Sequence, residues 1–194
     1  MDKKRGVKRV TFIRHAKVDM DSSRPIYARE LAAWEEAYNT APIVTDVLPG
    51  DELIRELRDA DYVISSTLRR SIDSLELLEV EIDECNVLFN EAAIPMLNGR
   101  FIRLRPVAWL VLFRLLSLLG IGRWAGTLRE SRADAKKAAD RLLHLSTRHD
   151  HIVLMGHGVM NWLIRKELSK NGWERKSREV HGNWGSNELF FDKR

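Results

Sequence analysis

Apolar residues fall into short, nearly unbroken runs separated by stretches of helical length. Val10-Thr11-Phe12-Ile13, Tyr62-Val63-Ile64-Ser65-Ser66 and Ile152-Val153-Leu154-Met155-Gly156 show little alternation of apolar and polar positions, the mark of strands covered on both faces. Between them the spacing turns helical. Residues 27–38 place Tyr27, Leu31, Trp34 and Tyr38 on one face, and a helix opening at Pro49-Gly50-Asp51 carries Leu53, Leu57 and Ala60. Residues 68–79 continue as a helix straight from the second run. Val87-Leu88-Phe89 reads as a further short strand. Thr127-Leu128-Arg129-Glu130 has the capping-box pattern ahead of a face formed by Ala135, Ala138, Ala139, Leu142 and Leu143. Residues 158–171 read as a helix stopped at Gly172, and Glu188-Leu189-Phe190-Phe191 as a last strand. Strands alternating with helices predict an α/β fold, a three-layer α/β/α sandwich with a mostly parallel central sheet. With no repeat or linker-like stretch, residues 1–194 read as a single domain.

One segment breaks the pattern. Residues 107–121 read VAWLVLFRLLSLLGI, interrupted only by Arg114 and Ser117, which share a helical face. Spanning a bilayer takes about 20 apolar residues, so no integral span is expected from this shorter, charged run. From 92 to 129 there is no Asp or Glu, while Arg100, Arg103, Arg105, Arg114, Arg123 and Arg129 all fall inside. A buried helix with arginines at its ends fits this composition. So do a lid over an anionic substrate, a self-association face and a helix lying on an anionic membrane surface, so oligomers and peripheral membrane contact stay open.

Charge narrows the classes. The 32 basic and 28 acidic residues leave a formal charge of +4, too even for the concentrated basic face of a nucleic-acid binder. Cys85 is the single cysteine, so no intrachain disulfide forms and an oxidising compartment is not implied. The basic stretch 1–9 lies too close to the first strand to leave room for a signal-peptide apolar region, and the expected location is cytoplasmic.

The ends of the three runs carry the candidate chemistry. The first delivers Arg14 and His15, the second leads into Arg69 and Arg70, and the third ends on His157. Open α/β sheets bind ligands outside the carboxyl ends of their strands, so these side chains converge on one anion site. A phosphate monoester brings about two negative charges near neutral pH, and arginine's planar fork matches its oxygens. A neutral imidazole can attack phosphorus, a second imidazole, if protonated, can bind a non-bridging oxygen, and a carboxylic acid must protonate the departing alkoxide. Arg14, Arg70, His15, His157 and, for the acid, Glu91 supply each part. Asp19 and Asp21, just after His15, are competing acids. His149-Asp150-His151 reads as a solvated loop rather than a metal site, and His181 lies within reach of the mouth of the site.

These motifs resemble, in order and spacing, those of the histidine phosphatase superfamily, which contains the cofactor-dependent phosphoglycerate mutases. Arg14-His15-Ala16 is similar to the family's Arg-His-Gly signature and Ser65-Ser66-Thr67-Leu68-Arg69-Arg70-Ser71 to its Ser-Ser-Pro-Leu-x-Arg-Ala segment. Asn90-Glu91 resembles the region of the acidic proton donor, and Gly156-His157-Gly158 the second histidine motif. The resemblance implies a phosphoglycerate mutase-like fold and a metal-independent, cofactor-free phosphatase of the histidine acid phosphatase type. Its substrate would be a phosphate monoester, phosphohistidine or a phosphoprotein, hydrolysed through a phosphohistidine on His15. In that reading His15, Glu91 and His157 are catalytic, and Arg14, Arg70 and His157 bind phosphate. It also places a substrate cap at 92–129, with Lys17, Arg103 and Arg105 setting specificity. Ala16 stands for Gly, Lys17 for Glu or Gln, and Thr67 for Pro. Residues 18–30 do not resemble the mutase substrate loop, so mutase activity is not expected. Two other classes share these features: a phosphate-binding regulatory protein without turnover, and a membrane-surface or self-associating protein acting through 107–121.

Overall fold

The computed structural model describes residues 7–94, 99–118, 123–176 and 178–192. Its main sheet holds β1 (Lys8–Arg14), β3 (Tyr62–Ser65), β4 (Glu84–Cys85), β6 (His151–Gly156) and β7 (Ser186–Phe191), in the order β4-β3-β6-β1-β7. Every neighbouring pair is parallel except β1 and β7. Register explains why the runs lack alternation. Val10 and Phe12 pair beside Ile152 and Leu154 and turn to one side, where α5 (Arg123–Leu145) and α6 (Gly158–Lys170) cover them. Ile13, Val153 and Met155 turn to the other, against α2 (Asp51–Arg58) and α3 (Arg69–Leu77). Both faces are therefore apolar, as a sheet between two helical layers requires. Gly172, with φ +83°, ends α6 in the left-handed conformation that glycine adopts without a Cβ penalty.

Several expected elements differ. Ile26–Tyr27 is not the start of a helix but a two-residue strand, β2, paired antiparallel with β5 (Arg103–Leu104). Glu30 Oε2 accepts the Tyr27 N–H at 2.7 Å, a single 3-10 turn follows, and α1 runs only over Leu31–Thr40. Residues 87–89 form a 3-10 turn instead of a strand, because Asn86 Oδ1 accepts the Leu88 N–H at 3.0 Å and curls the chain just after β4. The Thr127–Glu130 pattern caps nothing: α5 starts at Arg123, and those residues already lie inside its ladder.

The long apolar run forms α4 (Pro106–Leu118); residues 119–121 of the expected segment lie outside the described residues. Trp109 and Phe113 bury themselves against Ala28 and Leu31, packing α4 on α1 with Trp34 and the β2–β5 pair alongside. α4 is not buried all round: Val107, Val111 and Leu115 are about half exposed, at 56, 51 and 53%. No helix among the described residues is long and apolar enough to cross a membrane.

Candidate active site

β1, β3 and β6 end side by side, and the residue after each end enters one polar centre. The His15 N–H donates to Gly156 O and the Ser66 N–H to Met155 O, so that the three turns leave the sheet locked together. The His15 and His157 rings lie 5.1 Å apart. Gly156 is required by close approach: a Cβ there would come within 2.5 Å of Asn161 Oδ1, whose amide donates to Ile13 O.

His15 is buried, and its Nδ1 lies 2.6 Å from Ala16 O, a carbonyl that can only accept. The ring proton is thereby held on Nδ1, which leaves the Nε2 lone pair exposed to reaction. Arg70 Nε donates to that Nε2 at 3.1 Å. Burial, then the Arg70 and Arg14 charges, push the His15 pKa down to about 3, so the imidazole is a neutral base.

His157 is fully buried behind it. Its Nε2 sits 2.7 Å from Ser66 Oγ, which already accepts the Leu68 N–H and so has its own proton to give. The other ring nitrogen, Nδ1, has no hydrogen-bond partner. Burial, followed by Arg70, His15 and Arg14, sets the His157 pKa well below the usual value. Arg14 Nε is likewise buried and unpaired. Orphan buried donors are rare and mark a place where an acceptor belongs.

Arg70, in the first turn of α3, is buried, whereas Arg69 turns outward to Asp73 and Thr40 O. Thr67, standing for proline, uses the N–H that proline lacks: Asn90 Oδ1 accepts it at 2.9 Å and so ties the 90–91 loop to the strand end.

Above this floor opens a cavity of about 1300 Å³. Arg14, His15, Arg70 and Glu91 line it, as do Lys17, Asp19, Asp21 and Arg105. His157 does not reach its wall. Neither does Arg103, which donates to Pro25 O at 3.0 Å, lies over the Tyr27 ring and clips β5 to β2. His181 is exposed and lines a separate, smaller, mainly apolar cavity beside α4 and α6. His151, expected in a solvated loop, is a buried member of β6 far from the floor. Among the described residues no group of three or more His, Cys, Asp or Glu side chains is arranged to hold a metal.

Some wall residues escaped the sequence reading. From α1 come Glu35, Tyr38 and Asn39: Arg70 Nη1 donates to Asn39 Oδ1 at 2.6 Å, and the Tyr38 ring lies 5.1 Å from its guanidinium. Their i, i+3, i+4 spacing is the only signal the sequence carries. Asn183 Nδ2 donates to His15 O from a tight turn built on Gly182 and Gly185.

Sheet order, crossover pattern and the position of the floor define a class: this is the fold of the phosphoglycerate mutase-like histidine phosphatases. Among solved structures, a phosphoglycerate mutase from Bacillus anthracis is similar at a TM-score of 0.55 and 14% identity, over 96% of this chain and 88% of that one. A phosphoserine phosphatase from Entamoeba histolytica, solved as a mutant in complex with phosphoserine, is similar at 0.55 and 15%, over 93% and 89%. A mycobacterial glucosyl-3-phosphoglycerate phosphatase in complex with VO3 is similar at 0.55 and 12%, over 93% and 92%. No family's sequence model matches the chain, and no curated protein matches it in sequence.

Proposed function

We propose that the protein is a phosphatase that hydrolyses phosphate monoesters through a phosphohistidine on His15, with no metal required. The observation that carries this reading is the state of His15: a neutral imidazole whose proton is held on Ala16 O and whose Nε2 faces arginine at a cavity floor. Nε2 attacks phosphorus in line. Arg70, Arg14 Nε and His157 Nδ1 complement the equatorial oxygens, and charge stabilisation of this kind is most of what phosphoryl transfer asks of a protein. Arg70 must release Nε2 as the substrate arrives, exchanging a nitrogen acceptor for an anionic phosphate oxygen, the stronger partner. A carboxyl group then protonates the leaving oxygen. Glu91, the residue nominated by the resemblance, and Glu35 both line the cavity. Specificity comes from α1 and α4. With Val107, Ala108 and Val111 on the wall above Arg14 and Arg70, the cavity suits a phosphate ester with an apolar body. The neighbours of the same fold with phosphatase in their names, and those solved with phosphoserine and VO3, support the class of reaction.

Hydrolysis of p-nitrophenyl phosphate in EDTA, by wild type and by His15→Ala, tests the reading. EDTA-resistant activity that vanishes in the variant is expected. Activity that survives His15→Ala, or vanadate binding without any turnover by wild type, overturns it.

A further inference from the structure

Beside the cavity over the phosphate floor lies a second one, of about 370 Å³, among α4, α5 and α6. No step of the hydrolysis uses it. The two differ in character. Lys17, Asp19, Asp21, Glu35, Glu91 and Arg105 give the first a charged rim, and its apolar side is the wall that α4 supplies. The second is lined mainly by apolar groups, among them Ala92, Phe113, Leu128, Trp162 and Leu163.

The cavities share a wall. Ile94, Leu110, Arg114, Gly158 and Val159 line both. At Gly158 that wall reaches the phosphate site, since a Cβ placed there would stand 3.9 Å from Arg14 Cδ. Leu110 on α4 and Val159 on α6 therefore give an apolar track that starts beside the floor and ends in the second cavity. The charges of the second cavity are already spent. The two arginines that line it each face a carboxylate, Arg165 Nη1 that of Glu179 and Arg114 Nη2 that of Glu91. Arg165 Nε is already out of reach of water, so a hydrocarbon laid beside it displaces no hydration there. Such a cavity has little to offer a second anion, and its apolar wall gains by being covered.

We propose that the second cavity holds the apolar chain of a phosphate ester whose phosphate lies on the floor formed by Arg14, His15 and Arg70. The substrate class is then an amphiphile, a phosphate monoester of a long apolar alcohol, and not a small polar metabolite. This assignment rests on the phosphatase reading above. Arg14 and Arg70 take the dianion, the chain leaves the floor past Gly158 along Leu110 and Val159, and the space between Leu128 and Trp162 sets how much of it is accommodated.

Alkylphosphonates, which keep the dianion but are not hydrolysed, read the site without turnover. A series from ethyl to dodecyl is titrated calorimetrically, each below its micelle concentration, onto wild type, Thr127→Trp and Leu128→Ala. Thr127 and Leu128 line the second cavity and not the first. In wild type Kd should fall by about 2–4-fold per methylene and then level off as the cavity fills. Thr127→Trp, which fills the cavity, should flatten the series, and Leu128→Ala, which enlarges it, should move the plateau to longer chains. Vanadate should compete with every member, because the phosphonate head occupies the floor. A flat series in wild type, a slope that neither variant alters, or chain-dependent binding that vanadate leaves untouched would overturn the assignment. Failure of the phosphatase reading looks different: the series would bind as described while wild type hydrolysed no p-nitrophenyl phosphate.

Discussion

β1 and β6 carry a cluster of buried and half-buried ionisable side chains at each end, and the two clusters look alike in their most conspicuous property. At the far end from the cavity Arg9 Nη1 lies 3.1 Å from both Glu56 and Glu188, and Arg9 Nη2 lies 2.9 Å from His151 Nδ1. Thr11 Oγ1 joins Glu56 to His151 Nε2. Burial, then Arg9, pushes the His151 pKa down to about 4, much as burial and Arg70 act on His15. A depressed histidine beside arginine therefore does not identify a site, since a structural network produces it equally well. Satisfaction separates the two. Each of those five side chains has its partners, and none lines the cavity. At the other end Arg14 Nε and His157 Nδ1 have none, and His15 and Arg14 open onto the cavity. One cluster is closed on itself, and the other leaves polar groups unpartnered at the cavity floor.

The comparison breaks first on the two histidines. His15→Gln should abolish hydrolysis by more than about 10⁴-fold, the scale of losing a nucleophile, while His151→Gln should leave kcat/KM within about 3-fold. Steady-state kinetics on p-nitrophenyl phosphate decides this. Comparable losses in both variants would mean that the distal network also shapes the floor, and the contrast drawn above would fail.

The arginines sharpen it. Arg70→Lys keeps the charge but removes the fork that spans His15 Nε2 and Asn39 Oδ1, and should lower kcat/KM by about 10–100-fold. Arg9→Lys, at a site with no substrate, should change only thermal stability. Vanadate titration checks the same point without turnover: affinity should fall in Arg70→Lys alone.

In stability the clusters should behave alike. A histidine whose folded pKa lies below its unfolded value stays neutral in the native state while the unfolded chain takes up a proton. Its stabilising share is present above about pH 6.5 and is lost as pH falls toward 4 for His151 and toward 3 for His15. Glu56, raised by burial, acts in the opposite sense as pH rises. Subtracting variant from wild type isolates the histidine: melting curves between pH 6.5 and 4 should be flatter in both His15→Gln and His151→Gln. A slope unchanged in either shows that its imidazole is charged in the fold.

How much of this was legible in the sequence follows from where each contact comes from. The three central strands were legible because each is covered on both faces and carries its apolar character in consecutive residues, and Arg14, His15 and His157 are fixed by being next to strand ends. The β2–β5 pair was not, since Ile26 and Leu104 meet only through tertiary folding and two residues give no periodicity. Val87-Leu88-Phe89 misled because strand composition was overruled by one side chain, Asn86. His151 misled because His149 and Asp150 beside it are polar, while its own position is set by pairing with Arg9. Glu35, Tyr38 and Asn39 belong to a helix whose pattern says only that one face is buried; that the face meets Arg70 is decided by the packing of α1 near α3 and α4.

The smallest effect concerns the stretch before α4, where two arginines two residues apart looked equivalent in sequence. Arg105 is exposed and lines the cavity, whereas Arg103 points away, to the Pro25 carbonyl and the Tyr27 ring. A solvent-screened charge near a bound anion is worth up to about 1 kcal/mol, so Arg105→Ala should raise KM by no more than about 5-fold and leave kcat unchanged. Raising salt should shrink the difference further, because exposed charges are screened. Arg103→Ala should leave KM alone and lower thermal stability slightly, through the loosened β2–β5 pair. Kinetics of the two single variants at low and high salt read this directly. If Arg103→Ala raised KM as much as Arg105→Ala, with the same salt dependence, the arginine-rich stretch would act as a diffuse positive field rather than through the one side chain that faces the cavity.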